Sequence, residues 1–311
     1  MLPILFAVLP IFFVILLGYL SVSRKLLSRD FWAEAERLVF YLLFPALLLG
    51  ASATAPLGRL TLLPLALATF ASIGAMSLGL ILLRRWITQD GPSFTSLFQG
   101  ATRQNSYLCF AVALALLGET GVEAVAIAVA VYVPFVNVLS VVVLLRYGGK
   151  AGMSAGRIIL AVFKNPLLLA IMIGLVLNVS GLGLHHSLGQ MLQILGQAAL
   201  CLGLMAVGAG LDLPAARRSG GLVGLALVLK LAVLPALAFG AAQLFGVDAA
   251  ATFALVLLAG SPTAGAAYIM ARQMGGNAPL VAAIITAQVA VALFTLPILL
   301  GLLDPLSAGS L

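Results

Sequence analysis

Long apolar stretches alternate with short polar ones along the whole chain, and most are apolar all round rather than on one face. Ten can be drawn, near 3–22, 38–54, 61–83, 95–117, 122–145, 158–179, 190–211, 220–245, 249–271 and 278–302. Each has roughly the 17–25 residues a helix needs to cross a hydrocarbon core. A helix apolar around its whole circumference is buried in lipid or among other helices. The pattern predicts an all-α polytopic membrane protein with ten transmembrane helices. The first stretch is expected to remain in the mature protein, since no basic residue precedes it and no small-residue cleavage site follows.

The stretches repeat. Pro10 and Gly18 recur as Pro166 and Gly174, each 156 residues on (166 − 10 and 174 − 18). The same shift carries Asn105, in the fourth stretch, onto Ser261 in the ninth (261 − 105). Five spans followed by five start the second half on the opposite side of the membrane. Residues 1–150 and 151–311 are therefore expected to form two inverted five-helix repeats about a pseudo-two-fold axis in the membrane plane. The join is the glycine-rich stretch Arg146–Arg157, with Gly148, Gly149, Lys150, Gly152 and Gly156, and no soluble domain is expected.

Composition and charge sharpen this picture. Only 8% of residues are charged, against roughly 25% in soluble domains, which excludes a soluble fold. The net charge of +7 invites a nucleic-acid reading, but its distribution follows topology instead. With the N-terminus outside, the inner loops hold 13 of the 16 Lys and Arg, among them Arg24, Lys25, Arg84, Arg85, Arg217 and Arg218. The outer loops hold only Arg59; Arg103 and Lys230 lie within spans. That asymmetry satisfies the positive-inside rule and places both termini outside the cell membrane. The basic loops are short and carry no interleaved aromatics, so no nucleic-acid partner is expected; the partner is the lipid bilayer.

Two spans are interrupted by polar residues. In the fourth, Gln99-Gly100-Ala101-Thr102-Arg103-Gln104-Asn105-Ser106-Tyr107 is too polar to face lipid. Counting from Thr95 puts Asn105 ~15 Å deep, near the midplane. In the ninth, Ala259-Gly260-Ser261-Pro262-Thr263-Ala264-Gly265 lies at a comparable depth from the other side. Proline lacks the backbone donor and frees the carbonyl four residues back, that of Leu258. Unpaired backbone at such depth is tolerated only against protein or a water-lined cavity. Helix N-termini created by the breaks favour an anion. Paired interruptions in a duplicated membrane protein point to a substrate site where two broken crossover helices meet.

Two cations lie inside spans, where a charge at the bilayer centre costs about 2.5–3.5 kcal/mol. Lys230, ~15 Å into the eighth span, either pairs with Asp212 or helps to balance an anion. Arg103 either snorkels to the inner face or draws a carboxylate into the cavity, and the second reading is favoured. Asn137 after Pro134, with Thr286 and Gln288 in the tenth span, are placed to flank the crossing; Tyr268 is placed along the lower ninth span. Cys109 and Cys201 read as apolar filler, and His185-His186 as an exposed loop pair, so neither a metal nor a cofactor is expected.

At these residues the chain resembles the auxin efflux carrier family, which holds bacterial malonate and malate permeases and plant PIN-type auxin exporters. The resemblance rests on Ser261-Pro262-Thr263-Ala264 through Tyr268, Ala271-Arg272, Met274-Gly275-Gly276 and Thr295-Leu296-Pro297. Asn165-Pro166, Gly174, Ala206-Val207-Gly208, Arg103-Gln104-Asn105 and Pro134 with Asn137 agree with it. It implies a scaffold of spans 1, 2, 6 and 7 that also forms a homodimer. Spans 3–5 and 8–10 would make a transport domain sliding against it like an elevator. Asn105 and the backbone at Pro262 would hold a substrate carboxylate, flanked by Arg103, Tyr107, Ser261, Thr263, Asn137, Gln288 and Lys230. Two departures stand out: Cys201 replaces a usual proline, the repeat partner of Pro45, and no proline follows Asn105. The first crossover is therefore expected to bend less sharply.

A sodium-coupled symporter of bile-acid-carrier-like architecture shares the inverted repeat. It needs several acidic and amide ligands for a hard cation, and neither broken segment carries a carboxylate. A membrane-embedded enzyme needs a catalytic constellation; no His-Glu-x-x-His and no aspartate pair at metal-binding spacing is present, and Gly152-Met153-Ser154-Ala155-Gly156 lies in the glycine-rich join without the strand-to-helix setting of a nucleophile elbow. The expectation is a secondary transporter of small organic anions.

Overall fold

The computed structural model describes residues 2–55, 62–149, 166–218 and 220–307, without the side chains of 217, 218 and 304–307. Arg59, Lys150, Gly152, Gly156, Arg157, Lys164 and Asn165, used above for topology, the join and the family likeness, lie outside them. Among the described residues every regular element is helical. They are α1 (Leu2–Ser23), α2 (Arg29–Leu38), α3 (Phe44–Thr54), α4 (Leu62–Ile87), α5 (Gly91–Thr102), α6 (Ser106–Tyr147) and α7 (Pro166–Val179). There follow α8 (His186–Ala209), α9 (Leu213–Arg218), α10 (Gly221–Val228), α11 (Leu234–Leu244), α12 (Ala249–Gly260), α13 (Ala266–Met274) and α14 (Ala278–Ser307). π-Helical turns at Val39–Leu43 and Leu229–Val233 join α2 to α3 and α10 to α11. Pro45 and Pro235, each two residues past a π turn, are the cause: a helix-interior proline cannot donate to the preceding turn, and the looser turn absorbs the mismatch.

Among the described residues seven continuous or nearly continuous helical segments are long and apolar enough to cross a membrane, and Pro166–Val179 and Ala249–Gly260 are shorter apolar helices. This is a multi-pass membrane protein. Its outer surface carries Phe6, Phe13, Leu63, Trp86 and Phe294 exposed, whereas Gln99, Asn105, Lys230 and Gln288 are buried. Lipid as solvent explains both: apolar side chains face the tails, and polar groups turn inward to find partners.

One segment, Gly91–Tyr147, runs for 57 residues, or about 86 Å at 1.5 Å per residue, far more than one crossing. It is broken at Arg103–Asn105 and folds again at Gly118, whose φ of 64° and ψ of −147° only glycine adopts freely. A Cβ there meets nothing within 4 Å, so the cost of Gly118→Ala is conformational alone. We expect that variant to lose about 1–3 kcal/mol. The exposed, helical Gly224, also with nothing within 4 Å of a Cβ, is the control. Gly224→Ala is expected to be neutral or to gain about 0.5–1 kcal/mol. Thermal unfolding of the two variants in detergent separates these outcomes; equal midpoints would show that Gly118 carries no strain.

The helices form two groups of contacts. α3 packs on α7 and α8, and α1 on α8. In the other group α11 packs on α4 and α12, α12 on α6 and α14, and α5 on α6 and α14. In the first group glycines let backbones touch. A Cβ on Gly18 collides with the carbonyl of Met205, and one on Gly174 with the carbonyl of Leu49. Adding 156 to Gly18 gives Gly174, and subtracting 156 from Met205 gives Leu49. The two contacts exchange under the shift that relates the two halves of the sequence.

Candidate functional site

Two short helices lead to the breaks. α5 begins after Asp90, whose side chain accepts from the Ser93 N–H at 2.9 Å. α12 begins after Asp248, which accepts from the Ala251 N–H at 2.8 Å. These are N-caps, each satisfying a helix donor that has no partner in its own turn. Both helices run for 12 residues, about 18 Å. Both end on an extended residue with nearly the same backbone: Arg103 at φ −80°, ψ 150° and Ser261 at φ −76°, ψ 151°. The structural offset at the breaks is therefore 158 (248 − 90 and 261 − 103), two more than at Gly18 and Gly174. Asn105 matches Thr263, not Ser261 as the sequence shift implies. The stretch from Gly174 to Asp248 is two residues longer than that from Gly18 to Asp90 (74 against 72).

The breaks touch. The Asn105 N–H donates to the Ser261 hydroxyl at 3.3 Å. The first break is short, Arg103–Asn105, and the helix resumes at Ser106 with Asn105 as its cap, the side-chain oxygen accepting from the Leu108 N–H at 3.2 Å. The second spans Ser261–Gly265. Without a proline, the helix after the first interruption is started by this cap. Cys201 has the complementary effect: where Pro45 goes with a π turn, α8 runs unbroken through Cys201.

The carbonyl freed by Pro262 is taken up. Leu258 O accepts the Ser261 hydroxyl at 3.0 Å and the Lys230 ammonium at 3.2 Å. Lys230 is fully buried in the π turn, with its nitrogen 6.0 Å from the centroid of the Tyr132 ring. The pairing with Asp212 weighed above does not form. Asp212 instead caps α9, accepting from the Ala215 N–H at 3.0 Å. Deeper in, Gln288 clamps both broken spans: its oxygen accepts from the Thr263 N–H at 2.8 Å and its amide donates to Gly100 O at 2.7 Å. The Thr263 hydroxyl donates to the same Gly100 carbonyl at 3.0 Å. Tyr132 donates to Thr102 O, at the end of α5, at 2.9 Å.

Some buried polar atoms have no partner: Asn105 Nδ2, Arg103 Nε and both amide atoms of Gln99. Asn105 is 1% exposed and Arg103 8%. The cap fixes which Asn105 atom is free, because its oxygen is engaged and its amide donor is left over. Arg103 Nη1 lies 3.1 Å from the Met270 sulfur, a weak acceptor. Among the described residues no Asp or Glu pairs with Arg103 or Lys230 within 4.0 Å, the one ion pair being Arg37–Glu34. A buried guanidinium and amide with free donors, and no anion of the protein beside them, can take a carboxylate.

Not every expected residue joins this cluster. Tyr107 turns toward the first helix group, stacking edge-on with Phe44 at 4.8 Å and lying where a Cβ on Gly203 would be. Asn137 lines a small recess with Pro134, Leu167, Leu168 and Ile171. Thr286 donates to Ala282 O and accepts from the Asp212 N–H. Tyr268 lies under the Arg272 guanidinium, at 5.9 Å. Cys109 and Cys201 are free thiols, and Cys109 points at Leu257 O, 3.7 Å away. Sequence reading missed Tyr132, for which a tyrosine within an apolar span was the available signal; Gln99 stood in the first polar run without being singled out. It also missed Glu36 of α2, whose carboxylate lies 3.4 Å from where a Cβ on Gly265 would be.

The description of one family fits the chain from residue 3 to residue 300: membrane transport protein. The chain belongs to the membrane transport protein family, that of the auxin efflux carriers. No curated protein matches it. Among the described residues, the touching breaks with their unpaired donors form a polar cluster buried inside an apolar body. Membership extends over both broken segments, so the match takes in Asn105, Gln288 and Lys230 alike.

Proposed function

We propose that this membrane transport protein is a secondary carrier of small organic anions, with its site where the fourth and ninth spans cross. In this reading ten spans form two inverted repeats, 1–150 and 151–311, with both termini outside the cell membrane. The exchange of the Gly18–Met205 and Gly174–Leu49 contacts supports the inversion, as do the twin 12-residue helices. Spans 1, 2, 6 and 7 act as a scaffold and dimer surface, and spans 3–5 and 8–10 move against it as an elevator. The two groups of helix contacts are consistent with that division. Asn105, Arg103, Ser261, Pro262 and Thr263 meet the substrate directly, while Gln288 and Lys230 hold the broken backbone in place. Tyr107 and Asn137 contribute from the margin.

The observation that carries the anion is the pair of buried free donors, Arg103 Nε and Asn105 Nδ2, with no carboxylate among the described residues within 4.0 Å of the guanidinium. Malonate- or malate-like acids and aromatic weak acids share the carboxylate those donors would bind. Uptake of labelled mono- and dicarboxylates into proteoliposomes tests the reading. Saturable uptake by the wild type is expected, with Asn105→Ala weakening it about tenfold by removing one donor to a charged group. Equal uptake in the variant would move the site away from the crossing. Absence of uptake of every acid by folded, inserted protein would overturn the anion assignment.

A further inference from the structure

We infer that Lys230 is a tethered cation filling a small-cation site at the carboxyl end of α12, so that this carrier runs without a coupling alkali ion. The inference rests on the transport reading for the word coupling; the cation site itself stands on geometry.

The carboxyl end of a helix carries partial negative charge on carbonyls that have run out of N–H partners. Ion-driven carriers use such half-helix ends and unwound carbonyls to bind sodium. α12 ends in this way inside the protein. Pro262 cannot donate to Leu258 O, and that carbonyl accepts the Ser261 hydroxyl at 3.0 Å. The third party is Lys230 Nζ, at 3.2 Å. The face of Tyr132 lies 6.0 Å from the nitrogen, within reach of a cation–π contact, and the Tyr132 hydroxyl is held away by Thr102 O. Cys109 engages the neighbouring carbonyl, Leu257 O.

Around the ammonium there are thus a carbonyl and an aromatic face, and no carboxylate among the described residues within 4.0 Å. A buried lysine in an ordinary structural role is paired with an acid. Here neutral acceptors, one carbonyl and one ring face, meet one positive charge, as they would a desolvated monovalent ion. The π turn at Leu229–Val233 brings the lysine to the helix end. Truncating the side chain leaves these acceptors and opens a space the size of a small cation.

Thermal unfolding of the purified full-length protein tests this without knowledge of the organic substrate, so its failure is separate from failure of the anion reading. The wild-type midpoint is expected to be the same in sodium, potassium and choline chloride at equal ionic strength. Lys230→Ala is expected to unfold several degrees lower and to be restored, saturably, by methylammonium or sodium but not by choline, which is too large. Lys230→Met keeps the volume without the charge, and is expected to be destabilised and unresponsive to every cation. The inference is overturned if Lys230→Met unfolds like the wild type, or if Lys230→Ala shows no saturable response to any small cation. A saturable sodium response of the wild type would overturn it too, because the site would then not be filled from within. Should Lys230→Ala fail to fold, the Lys230→Met and wild-type measurements still decide.

Discussion

Arg103→Gln is expected to lower organic-anion uptake roughly ten- to hundredfold while leaving the protein as stable as before or more so. The two halves of that expectation have one cause. Arg103 is buried, its Nη1 reaches only the Met270 sulfur, and its Nε has no partner. In the empty carrier its charge is an uncompensated cost, since a buried cation without an acid destabilises the fold that holds it. Glutamine keeps much of the length and a donor but removes the charge, so the empty protein loses little. A bound carboxylate, in contrast, loses a charged hydrogen bond of about 1.5–3 kcal/mol, which is the stated factor in affinity at 1.4 kcal/mol per tenfold. Apparent KM for uptake and the unfolding midpoint should be measured on the same preparations. A structural arginine would give the opposite pattern, a lower midpoint with intact uptake, and that result sinks the assignment.

A large stability loss is expected from Gln288→Leu. The Gln288 amide bridges the two broken spans, accepting from the Thr263 N–H and donating to Gly100 O. Gly100 O keeps the Thr263 hydroxyl when the amide is lost. The Thr263 N–H is left buried without its acceptor, and a buried orphan donor costs about 1–3 kcal/mol. Interhelical bonds in membranes often measure less, about 0.6 kcal/mol, where the broken state finds other partners. Next to Pro262 the backbone has few to find, so a loss of about 2 kcal/mol is expected, near the middle of the orphan range. Reversible unfolding in detergent and denaturant reads it directly. A loss below half a kcal/mol would mean that water or a shifted backbone satisfies Thr263.

The helical body, the approximate spans and both breaks were legible in the sequence because membrane burial leaves a coarse, one-dimensional signal. Pro262 even named its own consequence: the carbonyl it frees, Leu258 O, is the one that Ser261 and Lys230 occupy. What failed did so for geometric reasons. Asp212 looked like a partner for Lys230 on charge alone, yet it caps α9, and a cap and a distant ion pair compete for one carboxylate. The 156-residue shift, exact for Gly18 and Gly174, slips to 158 at the breaks, because a two-residue difference in length between the halves leaves no mark on hydropathy. Asn137 and Tyr107 lie at the margin of the cluster, since which face of a helix points to a break depends on packing that spacing alone does not fix. Glu36 lay outside both polar runs, and only the folded chain brings its carboxylate to Gly265.

The carboxyl ends of α5 and α12 answer the same electrostatic demand in two currencies. At the first a neutral phenol, Tyr132, donates to Thr102 O; at the second an ammonium, Lys230, donates to Leu258 O. Under the 158-residue offset Leu258 O corresponds to Gly100 O, and Thr102 O to Gly260 O, so the two donors take different carbonyls of the last turn. Each end also has a buried cation, Arg103 at the first and Lys230 at the second. Two helix ends of one shape are thus completed by different side chains, and those side chains can vary without disturbing the backbone frame of the breaks.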